Sequence, residues 1–183
     1  MQDSRTGEVL TLAYMDEDAL ERTRATGEMW FWSRSRGELW HKGETSGNVQ
    51  ALEGLRYDCD EDALIALVRP AGPACHTGER TCFFRGDLEP TATEALPDLE
   101  RVIADRRDAN PGDSYTARLL ADPAMNQEKV REEAEEVARA AREEPDERVA
   151  EEAADVLYHL AVLMAGRGLR LADAYEVLNE RRR

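Results

Sequence analysis

Apolar positions follow two different rhythms along this chain. Up to residue 85 they come in short runs separated by turn residues, the pattern of half-buried strands. Strands are predicted at 9–14, 29–33, 38–41, 49–57, 63–69 and 81–85. One helix, 16–26, interrupts them and stops at Gly27, a residue that readily takes the left-handed conformation closing many helices. Arg34-Ser35-Arg36-Gly37 reads as a hairpin turn, and so does the acidic run 59–62, which would gather carboxylates at one hairpin tip.

Beyond Pro97 the spacing becomes that of helices, predicted at 98–107, 115–121, 124–143, 147–167 and 171–182. Asp122-Pro123 is a start signal: a capping carboxylate, then a proline in the first turn, where its missing N–H costs nothing. Val130, Ala134, Val137, Ala138 and Ala141 form an apolar stripe on the third of these helices. Val149, Ala153, Val156, Leu157, Leu160, Leu163 and Met164 do the same on the fourth. The short connection at Pro145 makes the two helices antiparallel neighbours. A linker at 89–95, containing Pro90, divides the chain into 1–88 and 96–183. The expected architecture is an α+β domain with a mostly antiparallel sheet, followed by an all-α domain.

Charge removes several function classes. The net charge is −15 with a pI near 4.7, the acidic excess is shared by both halves, and no basic stripe is present. Nucleic acid is therefore not an expected partner. No run approaches the ~18 apolar residues of a membrane span, so no membrane is expected either. Three cysteines cannot form a complete disulfide framework and no signal peptide precedes them, so the chain fits a reducing cytoplasm. Only Lys42 and Lys129 are lysines, against 22 arginines, which suggests that those two positions need an ammonium.

Chemistry concentrates in two places. Cys59, Cys75 and Cys82, with His76, lie within 24 residues of one another, and Cys59 is flanked by Asp58, Asp60 and Asp62. Thiolates suit zinc, whereas carboxylates suit magnesium or calcium. A calcium loop is excluded, because Ala63 stands where its turn glycine belongs and Arg69 where its bidentate glutamate belongs. Three thiolates leave zinc an open position for water, as in a catalytic site; His76 could instead close a structural Cys3His shell. The second place is the helix pair. Glu133 and Glu136, three residues apart, share one helix face, and Glu152 and Asp155 repeat that spacing on the next helix, with His159 a turn further. Two facing carboxylate pairs can hold a divalent cation between them.

These residues carry a resemblance. Residues 5–85 resemble phosphoribosyl-AMP cyclohydrolase, through Leu12-Ala13-Tyr14-Met15, Ser33-Arg34-Ser35-Arg36, Leu39-Trp40, Lys42-Gly43-Glu44-Thr45-Ser46-Gly47-Asn48, Asp58-Cys59-Asp60, Ala74-Cys75-His76-Thr77-Gly78 and Cys82-Phe83. The helical half resembles phosphoribosyl-ATP pyrophosphohydrolase, through Ser114-Tyr115-Thr116, Lys129-Val130, Glu132-Glu133-Ala134, Glu136 and the run from Glu152 to Leu160. Fusion in this order is a known bifunctional arrangement of histidine biosynthesis.

The resemblance implies that Cys59, Cys75 and Cys82 bind zinc, with each site completed across a homodimer, and that Asp58, Asp60 and Asp62 bind magnesium. It implies a zinc-activated hydroxide that opens the adenine ring of phosphoribosyl-AMP. His76 and His41 are the expected proton-transfer residues, and Arg34, Arg36, Lys42 and Ser46 the expected phosphate or ribose contacts. In the helical half it implies magnesium on Glu133, Glu136, Glu152 and Asp155, with Lys129 on the phosphates and pyrophosphate as the leaving product. Two departures stand out. Cyclohydrolase domains usually carry a further segment before the position of Gln2-Asp3, so a short edge strand or an upstream start is expected. Arg131 stands where a glycine is common, and should either crowd the helix contact or add a phosphate contact.

Two other readings compete. A zinc-stabilised assembly module without catalysis would explain the cysteines and leave the polar, glycine-containing run 42–48 unexplained. A pyrophosphohydrolase that clears aberrant nucleotides would make the first half vestigial.

Overall fold

The computed structural model describes residues 1–87 and 91–182. Its backbone separates into two compact units, Met1–Glu89 and Pro90–Arg183.

In the first unit, strands β1 (Gln2–Asp3), β4 (Gln50–Tyr57) and β5 (Leu64–Pro70) form a sheet in the order β1-β5-β4. β4 and β5 are antiparallel, and β1 lies parallel to β5 at the edge. Strands β2 (Trp30–Ser33) and β3 (Glu38–His41) form a separate antiparallel hairpin. Helix α1 (Glu17–Thr26) starts where Asp16 accepts from the Ala19 N–H and ends where Gly27, at φ 70°, turns left-handed, as its sequence signals require. The core joins Leu10, Met29, Phe31, Ala66, Val68 and Ala74. Burying each leucine-sized side chain there stabilises the unit by about 1.5–3 kcal/mol.

Two predicted strands are corrected. Residues 9–14 and 81–85 are extended but form no ladder. The first makes backbone bridges to neighbouring strands only between Gln2 and Val9 and between Tyr14 and Trp32, among the described residues. The second is tied to the first by the Cys82 N–H donating to Leu10 O (2.8 Å) and by the Thr81 hydroxyl donating to Val9 O (2.7 Å). A side-chain donor thus does what a second ladder bond would do. Next to them, Arg80 makes a two-pronged ion pair with Glu8 (2.6 and 2.8 Å).

The second unit is helical: α2 (Ala95–Asp105), α3 (Tyr115–Ala121), α4 (Pro123–Glu143), α5 (Asp146–Gly166) and α6 (Leu171–Glu180). The linker expected at 89–95 begins among residues 88–90, which lie outside the described residues. From Thr91 on, the Thr91 N–H donates to Glu94 (2.6 Å), a 3-10 turn spans Ala92–Glu94, and α2 follows directly. The expected start at 98 is therefore late. Pro97 is the third residue of α2, where a missing N–H breaks no helical bond. The core joins Ile103, Leu119, Ala161, Val162 and Leu171. Among the described residues no helix is long and apolar enough to cross a membrane.

The stripes on α4 and α5 need the larger correction. The residues that α4 buries are Asn126, Glu133 and Ala140, while Ala134, Ala138 and Ala141 are exposed. On α5 the buried residues are Glu152, His159, Ala161 and Val162, and Leu157 is exposed. The inner faces of this antiparallel pair are thus partly polar, an expensive arrangement that needs compensation from within the site.

Candidate functional site

In the first unit the β4–β5 connection closes on itself. The Asp58 N–H donates to Ala63 O (3.1 Å) and the Ala63 N–H donates to Asp58 Oδ1 (3.0 Å). Glu61 takes a left-handed φ of 63° at the tip. This closure brings Asp58, Asp60 and Asp62 together, with one carboxylate oxygen of each within 4.8 Å of the others, all exposed. The Ala63 amide, above all, holds the Asp58 carboxyl below the usual carboxylate range, with contacts from Asp60 and Asp62 acting in the same direction.

The thiols divide. Cys75 is buried, whereas Cys59 and Cys82 are exposed and none is paired in a disulfide. Cys75 Sγ lies 3.1 Å from the Thr77 hydroxyl and 3.9 Å from His76 Nδ1. Thr77, above all, lowers the Cys75 thiol pKa, aided by Cys82 and by the charge of Lys42. Cys82 accepts from the Thr11 hydroxyl (3.3 Å). Cys59 sits at the hairpin tip, 3.9 Å from Asp60 Oδ1. Among the described residues, no group of three potential ligands includes a cysteine.

Lys42 reaches this neighbourhood, its ammonium donating to Ala74 O and lying 5.6 Å from the Trp40 ring centre. The loop after it is close-packed. Gly43 has φ 96°, and a Cβ there would meet Asn48 C, Asn48 O and Val49 N at 2.5 Å. The Asn48 side chain presses so tightly on Gly72 that a Cβ on that glycine would stand 2.4 Å from Asn48 Oδ1. Ser46 accepts from the Asn48 N–H (3.2 Å) and is exposed. Arg34 stacks on Tyr14 at 3.5 Å, and Arg36 pairs with Glu38 at 2.9 Å.

His41 does not join the thiols within one chain. It is the last residue of β3, and Lys42 begins the turn that follows. The His41 ring stacks on Trp30 (centroids 4.7 Å) and faces Glu28 Oε2 at 2.7 Å, at an angle unsuited to a hydrogen bond. Glu28, Thr77 and Thr11 escape sequence reasoning; only Thr77 had a signal, its place in the run 74–78.

In the second unit Glu133, Glu136 and Glu152 converge, again within 4.8 Å. Glu152 is 2% exposed and Glu133 is also buried. Asp155 is not in this group and is exposed. Two cations offset the charge, each one turn before a buried glutamate: Lys129 Nζ lies 3.6 Å from Glu133 and 2.7 Å from Glu132, and Arg148 binds Glu152. The hydrogen bond to Glu132 raises the Lys129 pKa. His159 stands against Glu133 Oε1 at 3.8 Å. Arg131 neither crowds the helix contact nor joins the site; it pairs with Glu128 on the exposed side of α4. Three hard donors, two of them buried with three negative charges nearby, fit a divalent cation such as magnesium.

Two sites of this kind, one in a sheet-containing unit and one in a helical unit, define a tandem metal-site hydrolase. The family described as phosphoribosyl-AMP cyclohydrolase matches residues 11–84, and the family described as phosphoribosyl-ATP pyrophosphohydrolase matches residues 96–182. The chain is 50% identical to the "Histidine biosynthesis bifunctional protein HisIE" of Bacillus subtilis, over 99% of this chain and 88% of that one. The proteins of the same name from Synechocystis and Gloeobacter violaceus are 48% and 49% identical, over all of this chain and 86% and 85% of theirs. The chain belongs to this family of bifunctional histidine-biosynthesis hydrolases, with the cyclohydrolase domain first and the pyrophosphohydrolase domain second.

Proposed function

We propose that the two units hydrolyse one nucleotide in succession. The helical unit releases pyrophosphate from phosphoribosyl-ATP. The first unit then opens the adenine ring of the resulting phosphoribosyl-AMP, between the ribosylated ring nitrogen and the adjacent carbon. The observation that carries this reading is one three-carboxylate group in each of the two matched domains.

In the helical unit Glu133, Glu136 and Glu152 hold magnesium, with Asp155 as the fourth ligand suggested by the family resemblance. Lys129, already beside two of the acidic groups, can turn its ammonium to the phosphates. In the first unit Asp58, Asp60 and Asp62 hold magnesium, and Cys59, Cys75 and Cys82 hold zinc. Bound zinc would acidify a water to near neutrality, and magnesium would offset triphosphate charge. The depressed Cys75 thiol favours the ligating thiolate. His76, next to Cys75, moves the proton; His41, facing Glu28, is the weaker choice. Arg34, Arg36 and Ser46 lie exposed on turns where phosphate and ribose oxygens can reach them, with Lys42 deeper.

The separation of Cys59 from Cys75 and Cys82 supports a zinc site completed by a second copy of the chain, hence a homodimer. An exposed apolar set on the same unit supports it too: Leu12 is 82% exposed, and Val9, Tyr14, Tyr57, Ile65 and Phe83 are all open. Leu12, Tyr14 and Tyr57 share a 510 Å³ cavity with Glu61 and Asp62 at the hairpin tip. Three free thiols suit a reducing cytoplasm.

The test is a division of labour. Glu152→Gln should fail on phosphoribosyl-ATP yet open the ring of phosphoribosyl-AMP. Asp60→Asn should release pyrophosphate and then stall, and mixing the two proteins should restore full conversion. Loss of both activities in either folded variant would refute two independent sites.

A further inference from the structure

We infer that His159, held by Asn126, is a positioning residue that fixes the Glu133 carboxylate. The inference rests on the reading of Glu133 as a metal ligand.

Both members of the pair are buried, Asn126 at 2% exposure and His159 at 4%, in the inner faces of α4 and α5. His159 Nδ1 is 3.3 Å from Asn126 Oδ1. Its other nitrogen, Nε2, faces Glu133 Oε1 at 3.8 Å. The ring is boxed edge-on by Tyr158 (5.0 Å, 77°) and Tyr115 (5.9 Å, 89°). Tyr158 is itself anchored by its hydroxyl contact with Thr116 at 2.8 Å. The imidazole therefore has one orientation, with one edge toward an amide and the other toward a carboxylate.

That orientation dictates a tautomer. A neutral imidazole carries a single N–H, and a carboxylate can only accept. The proton belongs on Nε2, aimed at Glu133, and Nδ1 must then accept. As placed, the acceptor Oδ1 of Asn126 faces the ring; a half-turn of the amide exchanges its two nearly identical ends and brings the NH2 there as the donor this tautomer requires. Lys129 addresses the same oxygen of Glu133, at 3.6 Å. Two nitrogens thus flank Oε1 at 3.6 and 3.8 Å, longer than a hydrogen bond and close enough to tighten when a cation draws on the second oxygen. Outer partners that orient a ligand in this manner commonly change metal affinity 10–100-fold when removed.

The experiment measures Mn2+ binding to the full chain by loss of the free-ion electron paramagnetic resonance signal, in an Asp60→Asn background so that the helical site is counted. His159→Phe keeps the ring volume but removes both nitrogens, and should weaken Mn2+ about tenfold. His159→Gln, whose terminal amide can still donate toward Glu133, should recover most of that loss. Asn126→Leu, which frees Nδ1 without touching the ring, should weaken Mn2+ by a smaller factor, and it carries the test if His159→Phe does not fold. The magnesium concentration for half-maximal pyrophosphate release, measured without the Asp60 change, should rise in the same order. Glu133→Gln run alongside separates the two layers. If it retains the manganese site, Glu133 is no ligand, and the positioning role falls with that reading. If Glu133→Gln loses the site while the folded His159 and Asn126 variants bind as tightly as the parent, the positioning role alone is overturned.

Discussion

Replacing Gly43 by alanine isolates how much the loop after Lys42 depends on close backbone approach. Two contributions add at this position. A left-handed φ of 96° costs an L-residue about 1–2 kcal/mol. The new Cβ would also stand 2.5 Å from Asn48 C, Asn48 O and Val49 N, which are backbone atoms that cannot swing aside. Gly47 supplies the control, since its φ is 75° and nothing lies within 4 Å of its Cβ position. Gly47→Ala should therefore cost only the conformational part, and Gly43→Ala about 3 kcal/mol or more. At roughly 4–8 °C per kcal/mol for a unit of this size, Gly43→Ala should melt at least about 12 °C below the parent. All three tryptophans, Trp30, Trp32 and Trp40, lie in the first unit, so fluorescence melting reports that unit alone. Ring opening should drop in Gly43→Ala, because Lys42 moves with the loop, while pyrophosphate release stays intact. Melting of Gly43→Ala within 2 °C of Gly47→Ala would show that the overlap is relieved without cost, and the reasoning would fail.

Cys75→Ser should strip zinc and abolish ring opening while sparing pyrophosphate release; a zinc-free variant, verified by metal analysis, that opens the ring at the parental rate would sink the thiol assignment. Sedimentation should give a dimer, and Leu12→Glu, which places charge on the most exposed leucine among the described residues of the first unit, should shift it toward monomer with loss of ring opening. A monomer with full ring-opening activity would contradict the shared site.

Local signals were read well where they act through one or two neighbouring residues. Helix α3 runs from Tyr115 to Ala121 as expected, because Ser114 caps it and Asp122-Pro123 starts the next helix. The β2–β3 hairpin formed on its predicted turn. What failed depends on contacts between distant parts of the chain. Residues 9–14 alternate like a strand, yet they pair only at isolated bridges from Val9 and Tyr14, so no ladder forms. The apolar stripe of α4 looked like the buried face, but the helix pair closes on Glu133 and Glu152, whose charges are offset by Lys129 and Arg148. Hydrophobic periodicity cannot register such a face, because its stability comes from the site. The E-x-x-E spacing located three of the four proposed ligands; it could not tell that Asp155 stays exposed outside the group. Nor could spacing reveal that Cys59 lies apart from Cys75 and Cys82.

The tie between residues 8–11 and residues 80–82 constrains the order in which this protein can be made. The β4–β5 hairpin and the acidic tip can form as soon as residue 70 has been synthesised, since their bonds are local. Cys82 is in a different position. With Thr81 and Arg80 before it, Cys82 rests on Leu10, Thr11, Val9 and Glu8, a segment made about 70 residues earlier. A nascent chain therefore holds an early segment in waiting, extended and apolar, until its distant partner arrives. On the proposed zinc reading, metal loading would be the closing event of first-unit biogenesis, and a chain arrested before residue 82 should present Leu12 and its neighbours to chaperones rather than thiols to zinc.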